Sequence, residues 1–154
     1  MRLYLVQHGA ARPESEDPQR SLTEEGRRTV ERVAAWFSRL GAQPHRIEHS
    51  TKLRARQTAE IFASKLGATT PLVQCEGLAP NDPVEPVAER LAGERADLMI
   101  VGHLPFLSRL ASKLLGVDPE HTLIRFHMGG VVCLEKDEQN RWQLVWAVPP
   151  ELVP

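Results

Sequence analysis

The chain carries only two cysteines, Cys75 and Cys133, and neither has a Cys or His partner at metal-finger spacing. That argues against a disulfide framework and against a structural zinc site, and makes a reducing cytoplasm the expected compartment. Charge of one sign is also lacking. Against 20 Asp and Glu stand 19 Lys and Arg, a formal net charge of -1, so the global positive field of a nucleic-acid binder is missing and any taste for anions has to be built locally. No segment approaches the roughly 20 apolar residues that span a bilayer. The apolar opening, residues 1–6, meets the polar Gln7-His8-Gly9 turn too soon for a signal-peptide core. No repeat with a period of about 20 to 50 residues and no low-complexity tract is found. Neither nucleic acid nor membrane is therefore expected as a partner.

What is present is an ordinary globular composition, 42% hydrophobic and 25% charged over 154 residues. That length suits one average domain with a real core, so a single unit over residues 1–154 is expected. Apolar runs and helical stripes alternate along it. Residues 2–7 read as a buried first strand. Thr23 is placed to cap a helix whose first turn holds Glu24 and Glu25, and Val30, Val33, Ala34, Phe37 and Leu40 form its apolar face before Gly41. Residues 46–49 read as a second strand, and residues 53–66 as a helix with an Ala55, Ala59, Phe62, Leu66 stripe that stops at Gly67. A weak strand at 72–74, a Pro-rich loop and a short helix at 84–91 follow. Residues 97–102 are the clearest core strand, then an amphipathic helix spans 104–115 with Pro105 in its first turn. Residues 131–134 and 142–148 read as a terminal hairpin.

Such alternation predicts an α/β fold: a three-layer sandwich with a mainly parallel central sheet and helices on both faces. In sheets of this kind ligands bind beyond the carboxyl ends of the strands. His8 follows the first strand there, Arg54 the second and His103 the strand at 97–102. A neutral imidazole is a competent nucleophile toward phosphorus. A phosphoryl group in transfer spreads charge over three oxygens, which Arg54 and a protonated His103 are suited to meet, helped by helix starts near 53 and 104 and by close backbone approach at Gly9. Taken singly, each of these residues has a plainer reading as a surface, capping or ion-pairing group. Their convergence on one sheet edge is what favours the chemical reading. His45, His49, His121 and His127 have no identifiable second partner and read as structural.

Three stretches carry a resemblance. Val6-Gln7-His8-Gly9, with Leu22-Thr23-Glu24-Glu25-Gly26 after it, resembles the Arg-His-Gly signature of the histidine phosphatase superfamily. Residues 50–59, Ser-Thr-Lys-Leu-Arg-Ala-Arg-Gln-Thr-Ala, are similar to its second signature, and Val101-Gly102-His103-Leu104-Pro105 to its third. Order and spacing agree from Met1 to about Leu115, and the short chain with its His-Leu-Pro turn resembles the SixA-type phosphohistidine phosphatase branch. The resemblance implies a phosphoglycerate mutase-like fold, His8 as phosphoryl acceptor, Arg54 as phosphate clamp and His103 as the second histidine. It adds Gln7, Gly9 and Arg20 to the phosphate-binding set and implies no cofactor and no metal.

Two departures matter. Gln7 stands where the superfamily usually carries an arginine. A charge-assisted hydrogen bond is worth about 1.5 to 3 kcal/mol and a neutral one about 0.5 to 1.5, so the change is worth a factor of ten or more in rate unless Arg12, Arg20, Lys52 or Arg56 compensates. Pro80 stands where mutase-like members carry an acid, leaving Asp82 as a fallback general acid. A site without a firm acid suits a nitrogen leaving group better than an alcohol. Three readings follow. The leading one is hydrolysis of phosphohistidine in a phosphorylated protein, such as a histidine phosphotransfer domain, through a covalent intermediate on His8. The second keeps the mechanism for a small phosphorylated molecule, a phosphomonoester or phosphoanhydride. The third is a catalytically weak phosphate- or phosphoprotein-binding module.

Overall fold

A computed structural model describes residues 1–67 and 69–154. The elements run β1 (Arg2–Gln7), α1 (Glu24–Ser38), β2 (Arg46–His49), α2 (Leu53–Leu66), β3 (Leu72–Gln74), α3 (Glu85–Ala92), β4 (Leu98–Gly102), α4 (Phe106–Leu114), β5 (Val131–Lys136) and β6 (Trp142–Val148), then a short 3-10 turn at Pro150–Leu152. The strands form one sheet in the order β3-β2-β4-β1-β5-β6. Its first four members are parallel, and β5 and β6 close it as an antiparallel hairpin with a register shift at Cys133/Leu134. The expected mainly parallel α/β sandwich is thus the one observed.

Period-two alternation divides the core between the two faces of the sheet. Tyr4, Val6, Met99 and Val101 turn toward α1 and α2 and join Val30, Phe37, Ala59 and Phe62. Leu3, Leu5, Leu98 and Ile100 turn the other way and join Leu91, Phe106, Leu107 and Leu110 of α3 and α4. All of β4 is buried, as a central strand covered on both sides must be.

Helix ends follow local chemistry. The Thr23 hydroxyl oxygen accepts the Gly26 N–H at 2.9 Å, with Glu24 and Glu25 in the first turn, the expected start of α1. The helix expected from 104 begins instead at Phe106, because Pro105 occupies the N-cap position. Lys136, buried on β5, donates to the carbonyls of Leu91, Ala92 and Glu94 at 2.8, 2.8 and 2.6 Å. A cation therefore closes the carboxyl end of α3, where the helix dipole is negative. At the chain end, Arg32 of α1 donates to the carbonyls of Pro150 and Val153, and the Val153 side chain enters the core.

Candidate functional site: two imidazoles and a guanidinium at the sheet edge

Strands β1, β2 and β4 are adjacent and parallel, so the residues that follow them, His8, Ser50 and His103, emerge together at one edge. The His8 N–H donates to the Gly102 carbonyl at 3.0 Å, which locks the ends of β1 and β4 together. The rings of His8 and His103 lie 5.1 Å apart, centroid to centroid, and tilted by 54°. Their exposures are 9% and 1%. The second residue of α2, Arg54, comes from the loop that follows β2.

Tautomers can be read from the partners. The Nδ1 of His8 lies 2.7 Å from the Gly9 carbonyl oxygen. A carbonyl only accepts, so Nδ1 carries the proton and the lone pair is on Nε2. Burial, with the charges of Arg54 and Arg20 acting in the same direction, lowers the His8 pKa to about 4 against the pull of the Gly9 bond. His8 is therefore a neutral imidazole with a free Nε2 at pH 7, the form a nucleophile needs.

The Nε2 of His103 lies 2.6 Å from Ser50 Oγ, and that same oxygen accepts the Lys52 N–H at 3.2 Å. Among the described residues no other acceptor receives the Ser50 hydroxyl, so it donates to Nε2. Nδ1 then bears the proton. Burial first, then the charges of His8, Arg54, Lys52 and Arg20, lowers the His103 pKa to about 3. The expectation of a protonated His103 is thereby corrected: in this surround it is a neutral N–H donor, and an anion placed alongside would raise its pKa.

Two buried side-chain nitrogens lack a hydrogen-bond partner among the described residues: Nδ1 of His103 and Nε of Arg54. Both are N–H donors at this one edge. Burial and the nearby Arg20 lower the Arg54 pKa from its usual high value. Leaving a buried donor unpaired costs about 1 to 3 kcal/mol, so two such groups side by side call for a shared acceptor.

The other expected site residues are distributed unevenly. Arg20 takes up a left-handed backbone conformation, φ 54°, an uncommon one for a side chain with Cβ. Its place is set by Asp17, whose carbonyl accepts the Arg20 N–H and whose carboxylate accepts the N–H groups of Gln19 and Ser21 and the Ser21 hydroxyl. Those bonds, Ser21 first, hold the Asp17 carboxyl below its usual pKa. The Arg20 charge is felt at His8, Arg54 and His103 alike, so it borders the site. Gln7 uses its backbone carbonyl to accept the Gly129 N–H at 2.8 Å, and its side-chain amide has no partner among the described residues.

Gly9 has a different task from the phosphate contact expected of it. Its N–H is already given to Thr58 Oγ1 at 3.0 Å, while the Thr58 hydroxyl donates to the Arg54 carbonyl at 2.8 Å. A Cβ on Gly9 would sit 2.7 Å from Val30 Cγ2, so the glycine permits the first loop to lie flat on α1. Thr58 thus ties the His8 loop to the Arg54 helix.

Asp82 is not brought to the pair. Its Oδ2 accepts the Ala79 N–H at 2.9 Å, and it lines a separate cleft with Glu76, Pro86 and Arg90. Of the proposed compensating cations, Arg12 is spent on Ser21 Oγ and the Leu22 carbonyl, and Arg56 pairs with Glu60. The Lys52 charge reaches His103. Sequence reasoning gave no role to Ser50 or Thr58, although both lie in the 50–59 stretch similar to the second signature. Among the described residues no group of three or more His, Cys, Asp or Glu side chains is arranged to hold a metal ion, and no helix of those residues is long and apolar enough to cross a membrane.

Comparison with known proteins agrees with this geometry. The sequence model of the histidine phosphatase superfamily (branch 1) matches residues 3–80. An uncharacterized protein of Picosynechococcus is 37% identical over 122 residues, 74% of this chain and 73% of that protein. Phosphohistidine phosphatase SixA of Escherichia coli is 26% identical over 155 residues, spanning 97% of this chain and 94% of its own. The solved structure of the protein histidine phosphatase SixA complexed with tungstate superposes with a TM-score of 0.87 at 24% identity, covering 99% of both chains.

Proposed function

The chain belongs to the histidine phosphatase superfamily, branch 1, and on that premise we propose that it hydrolyses phosphohistidine in a phosphorylated protein by way of a phosphoryl group carried on His8. The observation that carries this reading is the pairing of one imidazole lone pair, on His8 Nε2, with two buried N–H donors, on His103 and Arg54, all three without a partner among the described residues. An attacking lone pair beside donors set out for oxyanions is what transfer of a tetrahedral phosphoryl group requires.

In the first step His8 Nε2 attacks phosphorus and the bond from phosphorus to the substrate nitrogen breaks, the electron pair leaving with that imidazole, which takes a proton from solvent. Arg54 Nε–H, His103 Nδ1–H and the Arg20 charge bind the equatorial oxygens. In the second step water attacks phosphorus, the bond to Nε2 breaks, inorganic phosphate leaves and His8 returns to its neutral form. Charge stabilisation by these side chains needs no metal. With the Asp82 carboxylate held by Ala79, the leaving group has to depart without a dedicated carboxylic acid, which suits imidazole better than an alkoxide. Binding of tungstate, itself a tetrahedral oxyanion, by the SixA relative is in line with such a site.

The test is a substrate panel with a chelator present: a phosphohistidine peptide, p-nitrophenyl phosphate, a sugar phosphate and pyrophosphate. The expected result is preference for the peptide, with acid-labile radiolabel on the enzyme that vanishes in His8→Ala. Full activity of His8→Ala would overturn the mechanism. Preference for an ester or anhydride would replace the substrate while keeping the mechanism, and tight phosphate binding with no turnover would leave a binding module.

A further inference from the structure

Beside the histidine pair lies a cleft of about 510 Å³ whose lining includes Arg20, Lys52, Arg54 and Arg56, with Glu14 and Gln74 also in its wall. Four cations against one carboxylate is a sharp local excess in a chain of net charge -1. Among the described residues Arg20, Lys52 and Arg54 form no ion pair with a carboxylate. Arg56 pairs with Glu60 at 2.8 Å, both largely exposed, where such a pair is weak. Lys52, the N-cap residue, and Arg54 and Arg56 in the first turns bring three like charges to the start of α2, where they repel one another. The start of a helix is also the end where the dipole disfavours cations. Local forces therefore work against this arrangement, and an anion drawn from solution would relieve it.

One phosphoryl group does not use all of it. Arg54 serves the phosphoryl position together with the two imidazoles, and Arg20 borders both places. Lys52 is left uncommitted and Arg56 holds only its exposed pair with Glu60, and Lys52 is close enough for its charge to act on His103. The cleft is thus continuous with the phosphoryl position through Arg54. Gln7 sharpens the contrast: the end of β1 contributes no cation, so the positive field is displaced toward the start of α2.

We propose that this cleft is a second anion subsite, in which Lys52, Arg56 and Arg20 hold a further phosphate or carboxylate of the substrate whose transferring phosphoryl group lies against His8, Arg54 and His103. The inference rests on the phosphoryl-transfer reading above and narrows its substrate to one with a second negative group next to the scissile phosphorus. Both sources of that group share one chemistry, an oxyanion that binds to ammonium and guanidinium N–H donors.

Two arms separate the sources. In the first, binding of methylenediphosphonate and methylphosphonate to the wild-type protein is measured by calorimetry. Neither compound is hydrolysed, so this arm reads the subsite even if the protein turns over no phosphohistidine. In the second, kcat/KM is compared for phosphohistidine peptides flanked by Glu or by Ala. The expected result is a preference of roughly tenfold or more for the doubly anionic ligand in at least one arm, about the worth of one charge-assisted hydrogen bond. Lys52→Gln and Arg56→Gln should each remove most of that preference, and Lys52→Glu should invert it. Salt near 0.5 M should shrink it as the Debye length falls to about 4 Å. A preference in the phosphonate arm assigns the subsite to a phosphate, and one in the peptide arm to a flanking carboxylate. Ratios near unity in both wild-type arms, or a preference that survives Lys52→Gln and Arg56→Gln, would overturn the subsite, whereas activity that persists in His8→Ala would overturn only the catalytic reading.

Discussion

Replacing Ser50 by alanine removes one hydroxyl from a fully buried position and tests whether that hydroxyl orients His103. The lost bond is the 2.6 Å contact from Ser50 Oγ to His103 Nε2, and the Lys52 N–H loses its acceptor with it. An imidazole nitrogen left buried without a partner costs about 1 to 3 kcal/mol. For a chain near 150 residues that corresponds to a fall in Tm of roughly 2 to 4 °C per kcal/mol. Stability alone would not show a functional role, because any buried Ser→Ala change of this kind lowers it.

The discriminating quantity is the position of the His103 proton. With Ser50 donating to Nε2, the proton is held on Nδ1, the nitrogen that has no partner among the described residues. Without Ser50 the Nε2–H tautomer competes, and in that form Nδ1 turns a lone pair toward phosphoryl oxygens. Loss of one such donor should lower kcat by about ten- to a hundredfold. Nitrogen NMR of the labelled imidazoles reads the tautomer directly, beside kcat on a phosphohistidine peptide. An unchanged Nδ1–H signal, with kcat within about twofold of wild type and only Tm reduced, would refute the reasoning.

Three other outcomes follow from the same geometry. The free-enzyme pKa of the nucleophile should put the acid limb of kcat/KM near 4 rather than 6.5, since His8 is held at about 4; a limb at 6.5 would show that burial does not govern it. Arg54→Lys keeps the charge but deletes the unpaired Nε–H, so kcat/KM should fall by about a hundredfold with little change in Tm, and retention of wild-type rates would remove Arg54 from the clamp. Lys136→Met strips three carbonyl contacts from the end of α3 and should cost about 2 kcal/mol in denaturant unfolding while leaving kcat unchanged; an unaltered midpoint would show that solvent caps the helix as well.

How much of this was legible in the sequence depends on how local the cause was. The order of strands and helices could be read because β1 and β4 are unbroken apolar runs, α1 and α2 have helical stripes, and Thr23 and Gly67 mark ends with their own side-chain or backbone chemistry. His8, Arg54 and His103 could be singled out because each directly follows, or nearly follows, a strand end. Ser50 could not, since a serine after a strand looks like any turn residue and its partner is 53 positions away. Thr58 lies inside a helix, where its hydroxyl reads as a surface group until the His8 loop is seen to fold onto it. The same non-locality misled the reading of Gly9 and of His103: one N–H is consumed by α2, and one proton is expelled by burial that only the folded chain creates.

The site stores several unfavourable terms at once, and they have a common sign. Two histidines are kept below their ordinary pKa, two N–H donors are buried without acceptors among the described residues, and Arg20 adopts a strained backbone. For the histidines the folded pKa lies below the unfolded value of about 6.5, so the unfolded chain binds more protons in acid. Their contribution to stability is therefore complete above that value and is lost as pH falls toward 4 and then 3. A tetrahedral dianion that keeps both charges at pH 5, such as sulfate, opposes the electrostatic terms together: it accepts from both donors, screens Arg54 from Arg20 and makes imidazolium less costly. Ligand binding to the folded chain alone must then raise Tm, and it must do so more at pH 5 than at pH 7, because at the lower pH the anion also supports proton uptake by the histidines. Sites shaped only by packing have no reason to show that pH dependence, and in this protein it should disappear when His8 and His103 are both replaced by asparagine.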